Sequence, residues 1–170
     1  MNLGGHRIKN EELRRQFEVL GFAGVSCFRA SGNVIFESEE GDEDVLTRRI
    51  ESGLGETLGY EVPVFLRSAA ELRKIAAREP FDAALVAASK GKLQVAFLAT
   101  APKGASRKRA LELSTGEDRL AVAGRELHWL PSGGISESSL DLESLENLLG
   151  PWTMRTMGTV EQIVAKYPGR

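Results

Sequence analysis

Leu120-Ala121-Val122-Ala123-Gly124-Arg125-Glu126-Leu127-His128-Trp129-Leu130 reads as two strands joined at a tight turn. Gly124 supplies the turn, because glycine reaches positive φ without a Cβ clash. On the second strand His128 alternates with Leu127 and Trp129, so it is predicted to face away from them. Upstream, residues 93–98 alternate Leu93, Val95 and Phe97 as a strand, and a helix is predicted near 106–113. Downstream, a loop rich in Ser and Gly covers 131–139. Leu142, Leu145, Leu148 and Leu149 stripe the next helix, which Gly150-Pro151 stops. Residues 153–156 read as a short strand. Thr159 and Gln162 read as the capping box of a last helix striped by Val160, Ile163 and Val164. The second half is therefore β-α-β-β-α-β plus one helix, the split unit of ferredoxin-like domains.

The first half shows most of the same order. A helix over 10–20 carries Leu13, Phe17 and Leu20 and ends at Gly21. Strands follow at 25–29 and 34–36, with Ser31-Gly32-Asn33 as the hairpin turn. A helix from Asp42 is striped by Leu46, Ile50, Leu54 and Leu58. Val62-Pro63-Val64-Phe65-Leu66 reads as an edge strand, because proline cannot donate to a ladder. Ser68 and Glu71 form a capping box for one more helix, which ends before Pro80.

The expected fold class is α+β, with two ferredoxin-like βαββαβ subdomains in tandem. The boundaries are 1–80 for the first with its extra helix, 81–92 for an alanine-rich linker, and 93–170 for the second with its C-terminal helix. The first subdomain lacks its first strand before Asn2-Leu3-Gly4-Gly5. That strand would be central. Its ladder bonds are each worth about 0.5–1.5 kcal/mol. Its large apolar side chains are each worth about 1.5–3 kcal/mol. The expectation is a natural start upstream of Met1 or, as the rival, a homodimer that pairs the exposed sheet edges.

Composition narrows the function. The 170 residues carry 22 Lys and Arg against 24 Asp and Glu, a formal net charge of -2, which weighs against a dedicated nucleic-acid binder. The single cysteine, Cys27, excludes an internal disulfide and any cysteine-rich metal site; in its apolar run it reads as a buried, inert thiol. No apolar stretch reaches membrane-spanning length and no secretory signal is read, so the expected location is the cytoplasm. No HExxH, nucleophile elbow, P-loop or metal-ligand spacing occurs, and no cofactor is expected.

Three segments remain as candidate sites. Asn2, Gly4, Gly5, His6 and Arg7 precede the first helix, whose dipole and free N–H groups could hold an anion. Ser31 and Asn33 flank a hairpin glycine, and turn chemistry alone explains them. Arg155, in Thr153-Met154-Arg155, could bind a carboxylate or phosphate bidentately. The first two segments are expected at opposite ends of the sheet, so they should not build one site. A basic run of Lys103, Arg107, Lys108 and Arg109 reads as a solvated helix face.

The segments, in this order, resemble domain-of-unknown-function family 1697, a set of small bacterial proteins. The resemblance rests on Asn2-Leu3-Gly4-Gly5, Leu20-Gly21-Phe22 and Ser31-Gly32-Asn33-Val34-Ile35-Phe36. It continues through Val95-Ala96-Phe97-Leu98, Gly124-Arg125-Glu126 and Thr153-Met154-Arg155 with Thr159-Val160. It implies the tandem α+β fold and no established activity. The chain departs from the family pattern before Asn2, at Arg155-Thr156-Met157 where the family has Arg-Asn-Trp, and at Ser139, which replaces a lysine after the loop serine. The expected function is a non-catalytic module for a small anionic ligand or a protein partner. The alternative is an enzyme acting on a small anionic substrate, and nucleic-acid binding ranks last.

Overall fold

The computed structural model describes residues 2–3 and 6–169. The chain is α+β with antiparallel sheets and divides into two compact units, Met1–Leu66 and Arg67–Arg170.

In unit 1, β1 (Asn2–Leu3) pairs with β2 (His6–Arg7), and α1 follows (Asn10–Val19). The apolar stripe buries Leu13 and Phe17. The chain turns at Gly21, whose φ of +83° suits only glycine, into the hairpin of β3 (Ala23–Phe28) and β4 (Asn33–Glu37). Its register sets Cys27 opposite Val34 and Phe28 opposite Asn33. α2 (Glu43–Leu58) is capped by Asp42, whose carboxylate accepts from the Asp44 and Val45 amides, and ends at Gly59 in the left-handed region. Ile8, Leu13, Phe17, Phe22, Ile50, Leu54 and Val62 form the core.

The predicted edge strand at 62–66 is corrected. Among the described residues this stretch joins no sheet, and β3 and β4 stand as a two-stranded pair. Pro63 has no N–H to offer. The Val64 N–H, which a neighbouring strand would otherwise accept, donates to Glu51 Oε1 at 2.9 Å.

Unit 2 contains α3 (Ala69–Ala76), α4 (Ala83–Ala88), β5 (Gln94–Leu98), α5 (Gly104–Glu112), β6 (Arg119–Ala123) and β7 (Glu126–Leu130). It closes with α6 (Leu142–Leu149), β8 (Trp152–Thr156) and α7 (Met157–Lys166). The sheet order is β6-β7-β5-β8, with every pair antiparallel. One face carries Ala96, Leu98, Leu120, Val122, Leu127 and Trp129 against Ala110 of α5 and Leu145 and Leu149 of α6. The opposite face carries Val95, Phe97, Glu126 and His128, also buried. Arg67 and Arg78, which bracket α3, both bond Glu126 and so seat α3 on that face; α7 packs beside α3. β5 lies between β7 and β8 and is buried throughout, whereas β3 and β4 of unit 1 are at most half-buried.

Two sequence boundaries shift. The units part at Leu66 and Arg67, so α3, grouped above with the first subdomain, belongs to unit 2. The predicted linker at 81–92 contains α4, and its end is fastened: Ser89 Oγ donates to Pro131 O at 2.5 Å, and the Gly91 N–H donates to Ser89 Oγ at 3.0 Å. A Cβ on Gly91 would stand 2.5 Å from both Gly133 O and Pro131 O. Those are backbone atoms, which cannot rotate away. Gly91→Ala is therefore expected to lower stability by about 1–3 kcal/mol in urea unfolding. Gly104→Ala, where a Cβ meets nothing within 4 Å, should stay within about 0.5 kcal/mol of the parent.

Candidate functional site

Of the first predicted segment, Gly4 and Gly5 lie outside the described residues. Asn2 and Arg7 are register partners in the β1–β2 ladder, with His6 opposite Leu3. The start of α1 is well placed by its neighbours. Asn10 Nδ2 donates to Arg29 O at 2.8 Å, and Cys27 Sγ donates to Asn10 O at 3.4 Å. In the hairpin turn, Asn33 Nδ2 donates to Ser31 Oγ at 2.8 Å and reaches Phe28 O at 3.4 Å. The start of α1 and the Ser31–Asn33 turn therefore share one end of unit 1, contrary to the expectation above. The chain descends α1 and climbs back along β3, which returns the hairpin turn to the end where α1 begins. Arg29 there holds a φ of +58°, uncommon for a residue with a Cβ. Asn10 Oδ1 is buried and has no hydrogen-bond partner among the described residues. Cys27 is half-buried, and burial raises its pKa, as suits an unreactive thiol.

In unit 2 the register aligns Arg155, Val95, His128 and Ala121 across β8, β5, β7 and β6. Thr153, Phe97, Glu126 and Ala123 make the next row on the same face. Adjacent strands lie about 4.8 Å apart, so Arg155 and His128 flank Val95 with about 10 Å between their backbones. Arg155 is half-buried; its Nη1 donates to Thr153 Oγ1 at 2.8 Å and to Met154 O at 2.7 Å. Burial lowers its pKa, because desolvation disfavours the charged guanidinium. Thr159 is explained by capping, in an altered role. The cap is Thr156, whose Oγ1 accepts from the Thr159 N–H at 3.2 Å, so Thr159 is the third residue of α7.

His128 faces away from Leu127 and Trp129, as alternation predicts. Two ionic features near it were not legible. Glu126 Oε1 accepts from Arg67 Nε at 2.8 Å and Glu126 Oε2 from Arg78 Nη1 at 3.1 Å. Arg67 also donates to the carbonyls of Leu98 and Arg125 and stands over the Phe97 ring. On the other face, Asp118 is 1% exposed and accepts from Trp129 Nε1 and Ser138 Oγ, each at 2.9 Å. Ser138, the loop serine of the sequence pattern, is thus engaged by a buried carboxylate. Arg107 of the basic run donates to Val122 O at 2.9 Å, while Lys103, Lys108 and Arg109 are exposed. Among the described residues, no group of three His, Cys, Asp or Glu side chains is placed to hold a metal ion. Among the described residues, no helix is long and apolar enough to cross a membrane.

A solved structure of a conserved bacterial protein from Streptococcus pneumoniae, SP0830, is similar in fold. The likeness has a TM-score of 0.72 at 18% identity and covers 99% of this chain and 94% of that one. No curated protein matches. Residues 1–128 match the family described as "Protein of unknown function (DUF1697)", a span that holds the Gly-Gly segment, the hairpin turn and the sheet through His128. The chain belongs to that family.

Proposed function

We propose that this chain is a non-catalytic binding module for a small anion, built on two ferredoxin-like subdomains, with Arg155 as the ligand-holding residue. The observation that carries the reading is the Arg155 guanidinium, half-buried in β8 and steadied by Thr153 Oγ1 and Met154 O. Burial lowers its pKa, and its planar guanidinium has the paired donors that suit a carboxylate or phosphate. The β5-α5-β6-β7-α6-β8 order with strand order β6-β7-β5-β8 supports the ferredoxin-like reading of unit 2. Unit 1 repeats that order from α1 onward, with 62–66 in the place of β8. The cytoplasm is the compartment we assign to it.

Isothermal titration with inorganic phosphate and with succinate tests the reading. The parent should bind one of them saturably, and Arg155→Ala should bind about 10- to 100-fold more weakly with an unchanged melt. No saturable binding by the parent, or equal binding by the variant, would reject it. Turnover of a bound anion, lost in Arg155→Ala, would select the enzyme alternative.

A protein-interaction reading, including a homodimer through sheet edges, draws on β3 and β4, which stand as a two-stranded sheet among the described residues. Light scattering of the purified chain separates it from the anion module. The nucleic-acid reading is weakened by Phe36. Its ring lies 5.4 Å from that of Phe17 and 4.5 Å from that of Phe22, turned into the core of unit 1 and not out to stack on a base.

A further inference from the structure

His128 sits inside the sheet of unit 2, opposite Val95 on one side and Ala121 on the other. It is 0% exposed. Neither ring nitrogen has a hydrogen-bond partner among the described residues. A neutral imidazole carries one donor and one acceptor, so both are left unmet in the interior.

The charges around it are unfavourable to a cation. On its own strand and face stands Glu126, already held by Arg67 and Arg78 from either end of α3. Arg155 of β8 lies in the same row of the sheet. The helices on this face bring apolar groups: Ile75 from α3, and Met157, Val160 and Ile163 from α7. Among the described residues, Arg67, Arg78 and Arg155 and the Glu126 carboxylate share the face, Glu126 is bound on both oxygens, and the Glu71 carboxylate of α3 is engaged by Arg125.

We infer that His128 is an acid-sensitive latch: protonation of its imidazole releases α3 and α7 from the sheet of unit 2 before α5 and α6 part from the other face. The inference does not depend on anion binding at Arg155.

Burial first, and then the charge of Arg78, lower the pKa of His128 from the ordinary 6.5 to about 4, against a smaller opposing effect of Glu126. The folded chain thus refuses a proton that the opened chain accepts. The stability that the neutral imidazole confers is complete above pH 6.5, falls as the pH drops from 6.5 to 4, and changes no further below. Across that window the opening equilibrium rises about tenfold per pH unit. The carboxylate of Glu71, whose pKa is lowered, begins to lose its contribution only below its ordinary 4.5. A response between 6.5 and 4.5 confined to α3 and α7 therefore reports on His128, since the other histidine, His6, belongs to unit 1.

Hydrogen exchange by mass spectrometry on the intact chain, corrected for intrinsic exchange rates, tests the latch at pH 7.5 and pH 5. The α3 and α7 amides should open about 30-fold more at pH 5, ahead of those of α5 and α6. His128→Leu should abolish the difference. The same acid response in His128→Leu, or equal opening of all four helices, would overturn the latch. Should that variant not fold, an NMR titration of the native imidazole decides: neutrality down to about pH 4 supports the latch, and titration near 6.5 overturns it.

Discussion

Glu126→Ala should destabilise unit 2 by about 3–5 kcal/mol. The reason is that the change removes a carboxylate and leaves its cations behind. The Arg67 side chain is 4% exposed and that of Glu126 is 6% exposed. Desolvating such groups is tolerable only while their charges meet, and Arg67 Nε and Arg78 Nη1 both meet Glu126. Arg67 would keep its bonds to the carbonyls of Leu98 and Arg125, but a carbonyl dipole does not neutralise a guanidinium. Glu126→Gln should lose less, since an amide oxygen still accepts. The comparison is Glu71→Ala, which removes an exposed pair together with the capping-box bond from the Ser68 N–H. Its bond to Arg125 is as short, at 2.9 Å, but those side chains are 40% and 24% exposed. An exposed pair of that kind is worth about 0–1 kcal/mol, and the cap adds about 0.5–2 kcal/mol, together below the loss at Glu126. Urea unfolding of the three variants should rank them Glu126→Ala, Glu126→Gln, Glu71→Ala. Equal losses for Glu126→Ala and Glu71→Ala would show that the buried network contributes no more than a surface pair and its helix cap.

The same network explains what could be read from the sequence and what could not. Elements in the second half each carried a local signal. Gly124 marked the hairpin, the Leu142-Leu145-Leu149 stripe marked α6, and the facing of His128 followed from its place between Leu127 and Trp129. The membership of α3 carried none. Its capping box, formed as predicted by Ser68 and Glu71, fixes where the helix starts and says nothing about which core it joins. That choice is made by Arg67 and Arg78 reaching Glu126, 59 and 48 residues further on. The six-residue α4 (Ala83–Ala88) lies in the alanine-rich stretch that reads as linker; it has no apolar stripe and buries no residue, so nothing local marks it. At 62–66 the apolar run did suggest a strand, but a strand needs a neighbour, which periodicity along one segment cannot supply.

The candidate sites divide in the same way. Residue type singled out Arg155, whereas its place in the row of Val95 and His128 depends on register between three strands. The first segment, expected at the far end of the sheet from the Ser31–Asn33 turn, leads into α1, and β3 runs back to the end where α1 starts. One bond, Asn10 Nδ2 to Arg29 O, brings them to the same end. The role of Ser138 depends on Asp118, twenty residues earlier, and no spacing rule joins the two.

Asp118 is the second position where a large effect is expected: Asp118→Ala should lower stability by about 2–5 kcal/mol. The carboxylate accepts from Trp129 Nε1 and Ser138 Oγ, and Ser138 Oγ in turn accepts the Leu140 N–H at 3.0 Å. Alanine would leave the indole N–H without its acceptor beside one of the most buried side chains of the molecule, since Trp129 is 1% exposed. A stranded donor of that kind costs about 1–3 kcal/mol, and the loosened hydroxyl adds to it. Asp118→Asn keeps one acceptor oxygen, which can serve the indole or the hydroxyl, so it should lose about half as much. The partner test is Trp129→Phe, which removes the N–H. In that background Asp118→Ala should cost about 1–2 kcal/mol less than in the parent, because no indole donor is left stranded. Additive losses in the double variant would mean that Asp118 acts through its hydroxyl partners, Ser138 and Thr115, and not through the indole. The decisive local signal is the 131–139 loop: if Asp118 is its tether, amide exchange there should quicken in Asp118→Ala while the β5–β8 pairing stays protected.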